Sequence, residues 1–264
     1  MKKLIKKFLP PWAITVLYRI RRLFVYDQHD SSEYWRSRAS CSGQSAVLWQ
    51  NQEYNNLYRK IQYDFLRSYV VSLKPGSRVL DIGCGIGLVS EMLLSINPQI
   101  TVDAVDFQEM IDVARSRVRH KKVRFLANSA KSYYLEDNIY DMVLSSGCYS
   151  AISNIQKLEK AMANGAKMLK PNGIMVMMDP FHRWNYLARA KYGTEDVIQF
   201  LRQYNLIVET KSGVLFWPFR EWLANSRYTG KALENQFYAG ERILSMLGRH
   251  FWADYKVLVF RKTR

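Results

Sequence analysis

Short apolar runs alternate with amphipathic stretches between residues 79 and 181 of this 264-residue chain. Apolar runs of strand length, bounded by turn-forming residues, predict buried strands, and apolar positions spaced three and four apart predict helices. The predicted strands are 79–82, 100–105, 123–127, 140–145 and 174–178, and the predicted helices are 88–96, 109–118 and 155–169. This alternation favours a parallel sheet with helices on both faces.

The first predicted strand runs into a loop with glycine at every second position, Gly83, Gly85 and Gly87. Glycine lets the backbone turn tightly and approach a ligand without an intervening side chain. Asp81 ends this strand, and Asp106 ends the second strand, 19 positions after Gly87. A carboxylate at that place can accept hydrogen bonds from both ribose hydroxyls of a nucleoside. The pattern therefore predicts a ligand site beyond the carboxyl ends of the strands.

Four segments in order, VLDIGCGIG, VDAVDFQEM, YDMVLSSG and MLKPNGIMVMMD, resemble the motifs of class I S-adenosylmethionine (SAM)-dependent methyltransferases. The nearest group includes ubiquinone and menaquinone biosynthesis enzymes and methyltransferases of lipid, glycan and natural-product pathways. The resemblance covers residues 73–181 and implies SAM as cofactor. It also implies a Rossmann-like α/β fold. Its sheet would have seven strands, mostly parallel, with an antiparallel last strand. N-terminal helices and a helical insertion before the last strand would complete it.

The resemblance also implies cofactor-binding roles by position. Asp81 would face the methionine amino group through the loop or a water, Asp106 would bind the ribose, and Phe107 would lie beside the adenine. The glycines would let the backbone approach the methionine, and the two serines after strand four would lie near it. The complete implied set is Asp81, Gly83, Cys84, Gly85, Gly87, Asp106, Phe107, Ser129, Ala130, Ser145 and Ser146.

One position departs from the family pattern. Ser129-Ala130 stands where the family usually has an Asp-Ala pair, whose carboxylate accepts a hydrogen bond from the adenine amino group. A hydroxyl accepts that bond more weakly than a charged group does. Either cofactor binding is weaker here, or Asn128 shares the task.

Methyl transfer to an oxygen acceptor also requires removal of a proton, so a base helps. His182 is the candidate base, because it follows strand five at the ligand edge and imidazole titrates near neutral pH. A surface or structural histidine is the alternative. Tyr149 is a second candidate, as pocket wall, orienting hydroxyl or plain packing. Tyr34, Trp35 and Arg38 are expected to cap the cofactor, with Arg38 reaching a carboxylate.

The first 26 residues are strongly basic and contain no acidic side chain, while the whole chain carries a formal net charge of +16. From Pro11 the pattern is amphipathic, but its apolar run is too short to span a membrane. One interpretation is a helix lying in an anionic membrane surface. The other is a helix packed on the domain with a solvated basic face. The basic residues are Lys2, Lys3, Lys6, Lys7, Arg19, Arg21 and Arg22.

The predicted organisation is a basic segment 1–26, a helical cap 27–72, and a methyltransferase domain 73–264 with an insertion at about 217–251. A helix over 53–73 is expected to bury Leu57, Ile61 and Phe65, with Leu66 and Tyr69 as further candidates. Asp103 is expected at the surface. The aromatic residues of the insertion are either the core of a small subdomain or, in part, the wall of an apolar acceptor site. Cysteines at 41, 84 and 148 have no paired spacing, so neither a disulfide framework nor a metal site is predicted.

These features predict a SAM-dependent methyltransferase acting on a small or amphipathic acceptor, such as a lipid-linked glycan or isoprenoid. The expected location is the cytoplasm, peripheral on the inner face of the membrane. The first alternative is a nucleic-acid methyltransferase. Against it, Ser145-Ser-Gly-Cys148 lacks the Asn/Asp-Pro-Pro-aromatic pattern typical of base amino methylation. The second alternative is a non-catalytic SAM-binding protein, and the intact Asp81, Asp106 and glycine loop disfavour it.

Overall fold

The computed structural model describes residues 31–41, 43–181 and 192–263. The basic segment 1–26 and His182 lie outside the described residues, so the predictions made for them stay predictions. Within the described ranges, no helix is long and apolar enough to cross a membrane.

Seven strands form one sheet in the described part of the chain. They are β1 Arg78–Ile82, β2 Thr101–Asp106, β3 Val123–Ala127, β4 Tyr140–Ser146, β5 Leu169–Asp179, β6 Leu206–Phe216 and β7 Ala253–Lys262. The order across the sheet is β3-β2-β1-β4-β5-β7-β6. Strands β1 to β5 run parallel to one another, whereas β7 runs antiparallel to both β5 and β6. The predicted fold class is confirmed, and the last strand lies inside the sheet with β6 at its edge.

Helices cover both faces of this sheet. They are α1 Ser32–Ala39, α2 Gln52–Val70, α3 Leu88–Ile96, α4 Gln108–Arg117, α5 Ile155–Met168, α6 Thr194–Arg202, α7 Trp217–Leu223 and α8 Gly230–Met246, with 3₁₀ turns at Gly43–Ala46 and Tyr149–Ala151. Successive strand residues point to opposite faces. Val79 thus belongs to one buried cluster and Leu80 to the other. Two buried faces explain why the strands are apolar throughout.

The segment 170–173, which lies between the predicted helix 155–169 and the predicted strand 174–178, is part of β5. Pairing with β4 shifts register between Tyr140 and Met142, and Asn172 has a φ of +62°. The turn-forming residues therefore make an irregularity inside a longer strand, so β5 begins at Leu169 and not at Ile174.

Helix α2 buries Leu66, one of the predicted candidates, but most of its buried face differs from the predicted one. Leu57, Ile61 and Phe65 are only half-buried. The enclosed positions are Tyr54, Asn55, Tyr58, Gln62, Leu66 and Val70. Two of these are polar, and both are satisfied: Asn55 Nδ2 donates to Trp49 O at 2.9 Å, and Gln62 Nε2 donates to Ser146 Oγ at 2.7 Å. A pattern based on apolar positions alone misplaces a face that contains hydrogen-bonded amides.

Asp103 is buried, so the prediction of a surface residue was wrong. It accepts hydrogen bonds from Arg124 Nε at 2.8 Å, from Arg78 Nη2 at 3.0 Å and from the Tyr140 hydroxyl at 2.7 Å. Burial acts to raise the pKa of Asp103, but these hydrogen bonds outweigh it and hold the pKa below its ordinary value. The carboxylate is buried because two arginines and a tyrosine enclose it.

The helical insertion packs mainly as a small subdomain core. Phe237 is buried in the larger cluster, and Phe219, Trp222 and Tyr238 pack partly against it. This supports the first of the two interpretations for most of these aromatic residues. The end of the insertion differs, because Phe251 and its neighbour Trp252 are exposed.

Candidate cofactor and acceptor site

An open pocket lies beyond the carboxyl ends of β1, β2, β3 and β4. Its volume is about 1020 Å³, which includes space open to solvent. The N-terminal cap and the start of β7 complete its walls. It is lined by Trp35, Val47, Leu48, Tyr58, Arg59, Gly83, Cys84, Gly85, Leu88, Val89, Val105, Asp106, Phe107, Asn128, Ser129, Ala130, Lys131, Ser146, Gly147, Cys148, Ala151, Ile152, Lys157 and Tyr255. The position is where parallel sheets bind ligands.

The glycine loop forms the floor of this pocket. Gly83 N and Cys84 N donate to Val105 O at 2.8 and 3.1 Å, which ties the loop to β2. A Cβ on Gly83 would lie 2.3 Å from Cys148 Cβ, and Gly83 has a φ of +74°. No residue with a side chain fits that conformation and that space.

Asp106 lies at the pocket wall, at the end of β2. Its carboxylate accepts from Gly85 N and from Phe107 N, both at 2.7 Å. Burial raises the pKa of Asp106 to about 6. Each carboxylate oxygen can accept more than one hydrogen bond, so the group is fixed by the backbone and still able to accept from a ligand.

Three residues of the predicted cofactor set do not line the pocket: Asp81, Gly87 and Ser145. Asp81 is buried and accepts from Ser90 Oγ at 2.6 Å, and burial raises its pKa to about 6. Ser145 Oγ donates to Asp179 Oδ2 at 2.8 Å. Gly87 caps the start of α3 with a φ of +79°. These residues support the pocket from beneath.

The end of β3 supplies another pocket wall. This wall is formed by Asn128, Ser129 and Ala130, close to Phe107, which follows the neighbouring strand β2. Asn128 Oδ1 accepts from Ser129 N at 2.8 Å and from Ser132 Oγ at 3.1 Å. Ser129 and Asn128, the two residues that could accept a hydrogen bond from the adenine amino group, therefore lie side by side.

Tyr149 lies outside the pocket lining. Its ring is buried in the cluster under α5, and its hydroxyl donates to Ala161 O at 3.4 Å. A Cβ on Gly165 would lie 2.7 Å from that hydroxyl, which shows how closely the helix packs on the ring. Of the roles considered for Tyr149, the structure supports packing.

The N-terminal cap reaches the pocket through Trp35, Val47 and Leu48. Tyr34 packs edge-on against Trp35, with ring centroids 5.1 Å apart. Arg38, predicted to reach a ligand carboxylate, is not among the residues that line the pocket. Its guanidinium donates to the carbonyl oxygens of residues 45, 46 and 48, so it shapes the loop that covers the site.

The cap also packs on the glycine loop. A Cβ on Gly85 would lie 2.6 Å from Val47 Cγ1. Arg36 forms an ion pair with Glu109 on α4 at 2.6 Å. Because the same segment touches the loop and helix that follow β1 and β2, the cap is a fixed wall of the pocket.

Sequence reasoning missed four polar residues, at and behind the opposite wall: Tyr58, Arg59, Gln62 and Tyr255. Arg59 Nη1 donates to Gln62 Oε1 at 2.5 Å, and Gln62 in turn donates to Ser146. Arg59 Nε is buried and has no hydrogen-bond partner among the described residues. Burial lowers the pKa of Arg59, but a guanidinium remains charged in proteins. Helix α2 resembled a packing helix in sequence, so nothing marked these residues.

Tyr58 and Tyr255 pack against each other at this wall, with ring centroids 5.3 Å apart and ring planes tilted by 55°. Trp49 supports both rings at 5.7 and 5.9 Å. Burial raises the pKa of Tyr58 to about 12 and that of Tyr255 well above its ordinary value. Both hydroxyls are therefore protonated at neutral pH and can donate hydrogen bonds.

The comparisons with known proteins agree with this geometry. Residues 79–173 match a family described as a methyltransferase domain. A malonyl-[acyl-carrier protein] O-methyltransferase from Bacillus anthracis is 31% identical over 111 residues, which are 40% of this chain and 40% of the relative. A ubiquinone biosynthesis O-methyltransferase from Xanthomonas campestris is 25% identical over 55% of this chain and 69% of the relative.

A solved structure matches over most of the chain. The N-methyltransferase NodS from Bradyrhizobium japonicum, in complex with S-adenosyl-L-homocysteine, aligns with a TM-score of 0.60 and 16% identity. It covers 90% of this chain and 100% of that one. The matching part spans only about two fifths of the length of the malonyl-[acyl-carrier protein] relative.

Residues 79–173 of the chain carry a methyltransferase domain. SAM is its cofactor. The pocket fits this molecule by its own features. Asp106 can accept from ribose hydroxyls, Gly83 and Gly85 line the pocket next to it, and the unpartnered Arg59 Nε suits the methionine carboxylate. Among the described residues, no cluster of three or more metal-ligating side chains occurs.

Proposed function

We propose that the chain is a methyltransferase that transfers the methyl group of SAM to an oxygen of a small amphipathic acceptor at a membrane surface. One observation carries the proposal. The Asp106 carboxylate and the glycine loop line the same pocket as Tyr58 and Tyr255.

The cofactor position follows from the polarity of the walls. The adenine would lie against Phe107, with Ser129 or Asn128 accepting from its amino group. The ribose would bind Asp106. The methionine would then cross Gly83 and Gly85 toward Ser146, with its carboxylate at the Arg59 guanidinium. Asp81 would act through the loop or a water, as the sequence motif implies.

When bound, SAM supplies a methyl group on a positively charged sulfur. The residues of the chain align the acceptor with that methyl group and exclude water. Trp35, Val47 and Leu48 cover the site, while Tyr58 and Tyr255 donate to the acceptor oxygen. Their raised pKa values keep both tyrosines protonated at neutral pH, so neither is available as a base. His182 remains our proposed base.

The membrane location rests on charge. The net charge is +16, and seven basic residues fall within the first 26 positions. An anionic bilayer concentrates a protein of this charge and the amphipathic acceptors dissolved in it. We propose that the enzyme works in the cytoplasm, peripheral on the inner face of the membrane. The O-methyltransferase names of both relatives favour an oxygen acceptor.

The test uses cells that lack the gene and their extracted lipids and small metabolites. Purified enzyme with methyl-labelled SAM is expected to label one species in the membrane extract of the deletion strain. In that strain the species should be lighter by one methyl group than in cells that carry the gene. An Asp106→Ala enzyme should label none. If labelling appears only in nucleic acid, the nucleic-acid alternative is correct. If SAM binds but no fraction is labelled, the non-catalytic alternative is correct.

A further inference from the structure

The segment that joins α8 to β7, residues 246–252, displays apolar side chains to solvent, and we name it the apolar loop. Ten large hydrophobic residues are exposed in the described part of the chain, and four of them lie in these seven positions: Met246, Leu247, Phe251 and Trp252. Met246 is 85% exposed and Phe251 is 77% exposed. Single exposed hydrophobic residues need no explanation, whereas a contiguous cluster marks an interaction surface.

The apolar loop is held in place by buried polar contacts. The Lys256 ammonium donates to the carbonyl oxygens of His250 at 2.5 Å, Phe251 at 2.9 Å and Ala253 at 3.0 Å. Trp252 O accepts from Trp217 N at 3.1 Å. A largely buried charge is thus used to fix the backbone under two exposed aromatic rings.

His250 adds a second anchor. Its Nδ1 donates to Ser212 O at 3.1 Å, and its Nε2 lies 3.0 Å from Thr194 Oγ1. Phe251 and Trp252 pack edge-on, with ring centroids 5.5 Å apart. The rings therefore form a preformed pair on a braced loop, and binding them costs little ordering entropy.

The apolar loop lies at the same edge of the sheet as the pocket. Strand β7 begins at Ala253, which pairs with Phe216 at the end of β6, and Lys256 pairs with Asp179 at the end of β5. Tyr255, two residues into β7, lines the pocket. An object that contacts the apolar loop therefore faces the edge at which the pocket opens.

Basic residues flank the apolar loop. Arg242 is exposed on the last turns of α8, and Arg249 within the loop is half exposed beside Glu241. Aromatic and long apolar side chains with adjacent arginines are typical of segments that enter the headgroup region of anionic membranes. Four side chains are too few for a stable protein interface, which buries about 800 Å² per partner.

We propose that the apolar loop inserts into the surface of an anionic bilayer and so turns the pocket mouth toward lipid. The inference deepens the proposed function, since it names a surface from which an amphipathic acceptor would enter. It rests on contacts in the described fold and does not depend on residues 1–26.

The test compares full-length variants on vesicles of phosphatidylcholine with about 30% phosphatidylglycerol. Phe251→Ser combined with Trp252→Ser is expected to weaken co-sedimentation about tenfold or more. The matched control is Ile207→Ser with Val71→Ser. It removes two residues that are 56% and 58% exposed and lie toward the opposite edge of the sheet. This control should bind as the unchanged protein does.

A second readout reports insertion itself. Lipids brominated in their acyl chains should quench the fluorescence of the unchanged protein, and Trp252→Phe should reduce that quenching while vesicle binding persists. Equal binding by the loop variant and the control would overturn the proposal. So would a loop variant that loses only self-association in sedimentation, which would assign the surface to a second copy. SAM calorimetry on the same samples reports separately on the proposed function, because vesicle binding needs no catalysis.

Discussion

The two sides of the pocket are built from different kinds of sequence. The cofactor side comes from β1, β2 and β3 and the turns that follow them, so its residues lie within short, ordered motifs. The acceptor side combines Tyr58 from α2 with Tyr255 from β7, nearly 200 positions apart. The first side binds a molecule common to a large family and is readable from local pattern. The second is assembled from distant parts of the chain and exists only after folding.

The largest effect is expected from an alanine in the glycine loop, compared with an alanine at an ordinary glycine turn. Gly83→Ala would place a Cβ 2.3 Å from Cys148 Cβ at a φ of +74°. We expect a loss of about 3 kcal/mol or more in the free energy of unfolding, with SAM binding abolished. Gly76→Ala is the control, because Gly76 has a φ of +80° and nothing lies within 4 Å. That variant should lose only about 1 kcal/mol. Equal losses in urea titrations would contradict the packing argument.

A second variant tests where the methionine end of SAM lies. Arg59→Met keeps an unbranched apolar side chain and removes the guanidinium. We expect SAM affinity to fall about 30-fold, the value of one charge-assisted hydrogen bond. Affinity for 5′-methylthioadenosine, which has no methionine carboxylate, should change less than about twofold. Calorimetry with both ligands measures this. If both affinities fall equally, Arg59 acts on the fold and not on the carboxylate.

A third pair of variants tests the acceptor side. Tyr58→Phe and Tyr255→Phe should leave SAM affinity unchanged. Each should lower label transfer to the acceptor fraction about fivefold to tenfold, because one neutral hydrogen bond is lost. Tyr149→Phe is the control, since its hydroxyl lies in the core under α5 and only donates weakly to Ala161 O. The comparison between the two sides fails if the Tyr58 or Tyr255 variant loses SAM binding instead.

The smallest expected effect is a dependence on pH. As pH falls, SAM affinity should decrease, whereas the contribution of Asp106 to the free energy of unfolding should increase. Burial raises the pKa of Asp106 to about 6, so the carboxyl gains a proton as pH falls through 6 and accepts from ribose less well. SAM affinity should then fall severalfold between pH 7 and pH 5.5. The same raised pKa makes the folded state bind a proton that the unfolded state lacks. This stabilising contribution is complete below the unfolded pKa and is lost as pH rises through 6.

Calorimetry and urea titrations from pH 5 to pH 8 can follow both trends. Asp81, whose pKa is also raised to about 6 by burial, contributes to the stability trend without lining the pocket. Asp106→Ala should therefore abolish the pH dependence of any remaining SAM affinity. The free energy of unfolding of this variant should keep part of its pH dependence. A binding affinity that rises as pH falls would contradict the role given to the Asp106 carboxylate.

The sequence was sufficient for the sheet and most of the cofactor wall, because each strand is a continuous apolar run and each ligand residue follows one directly. It failed where polar residues are buried. Asp103 was placed at the surface because its arginine partners lie on other strands, and the face of α2 was misassigned because Asn55 and Gln62 make hydrogen bonds inside. Arg38 was assigned to a ligand, and only folding shows it bound to three carbonyl groups of its own loop.

The central claim is that Asp106 and the glycine loop hold SAM in this pocket, and calorimetry on Asp106→Ala tests it most directly. The unchanged protein should bind SAM with measurable heat. The variant should bind about 100-fold more weakly, through loss of two hydrogen bonds to a charged group. Its fold should persist, because burial disfavours the charged carboxylate and so offsets the two backbone hydrogen bonds that it accepts. An unchanged SAM affinity in a folded variant would contradict the assignment of the cofactor site.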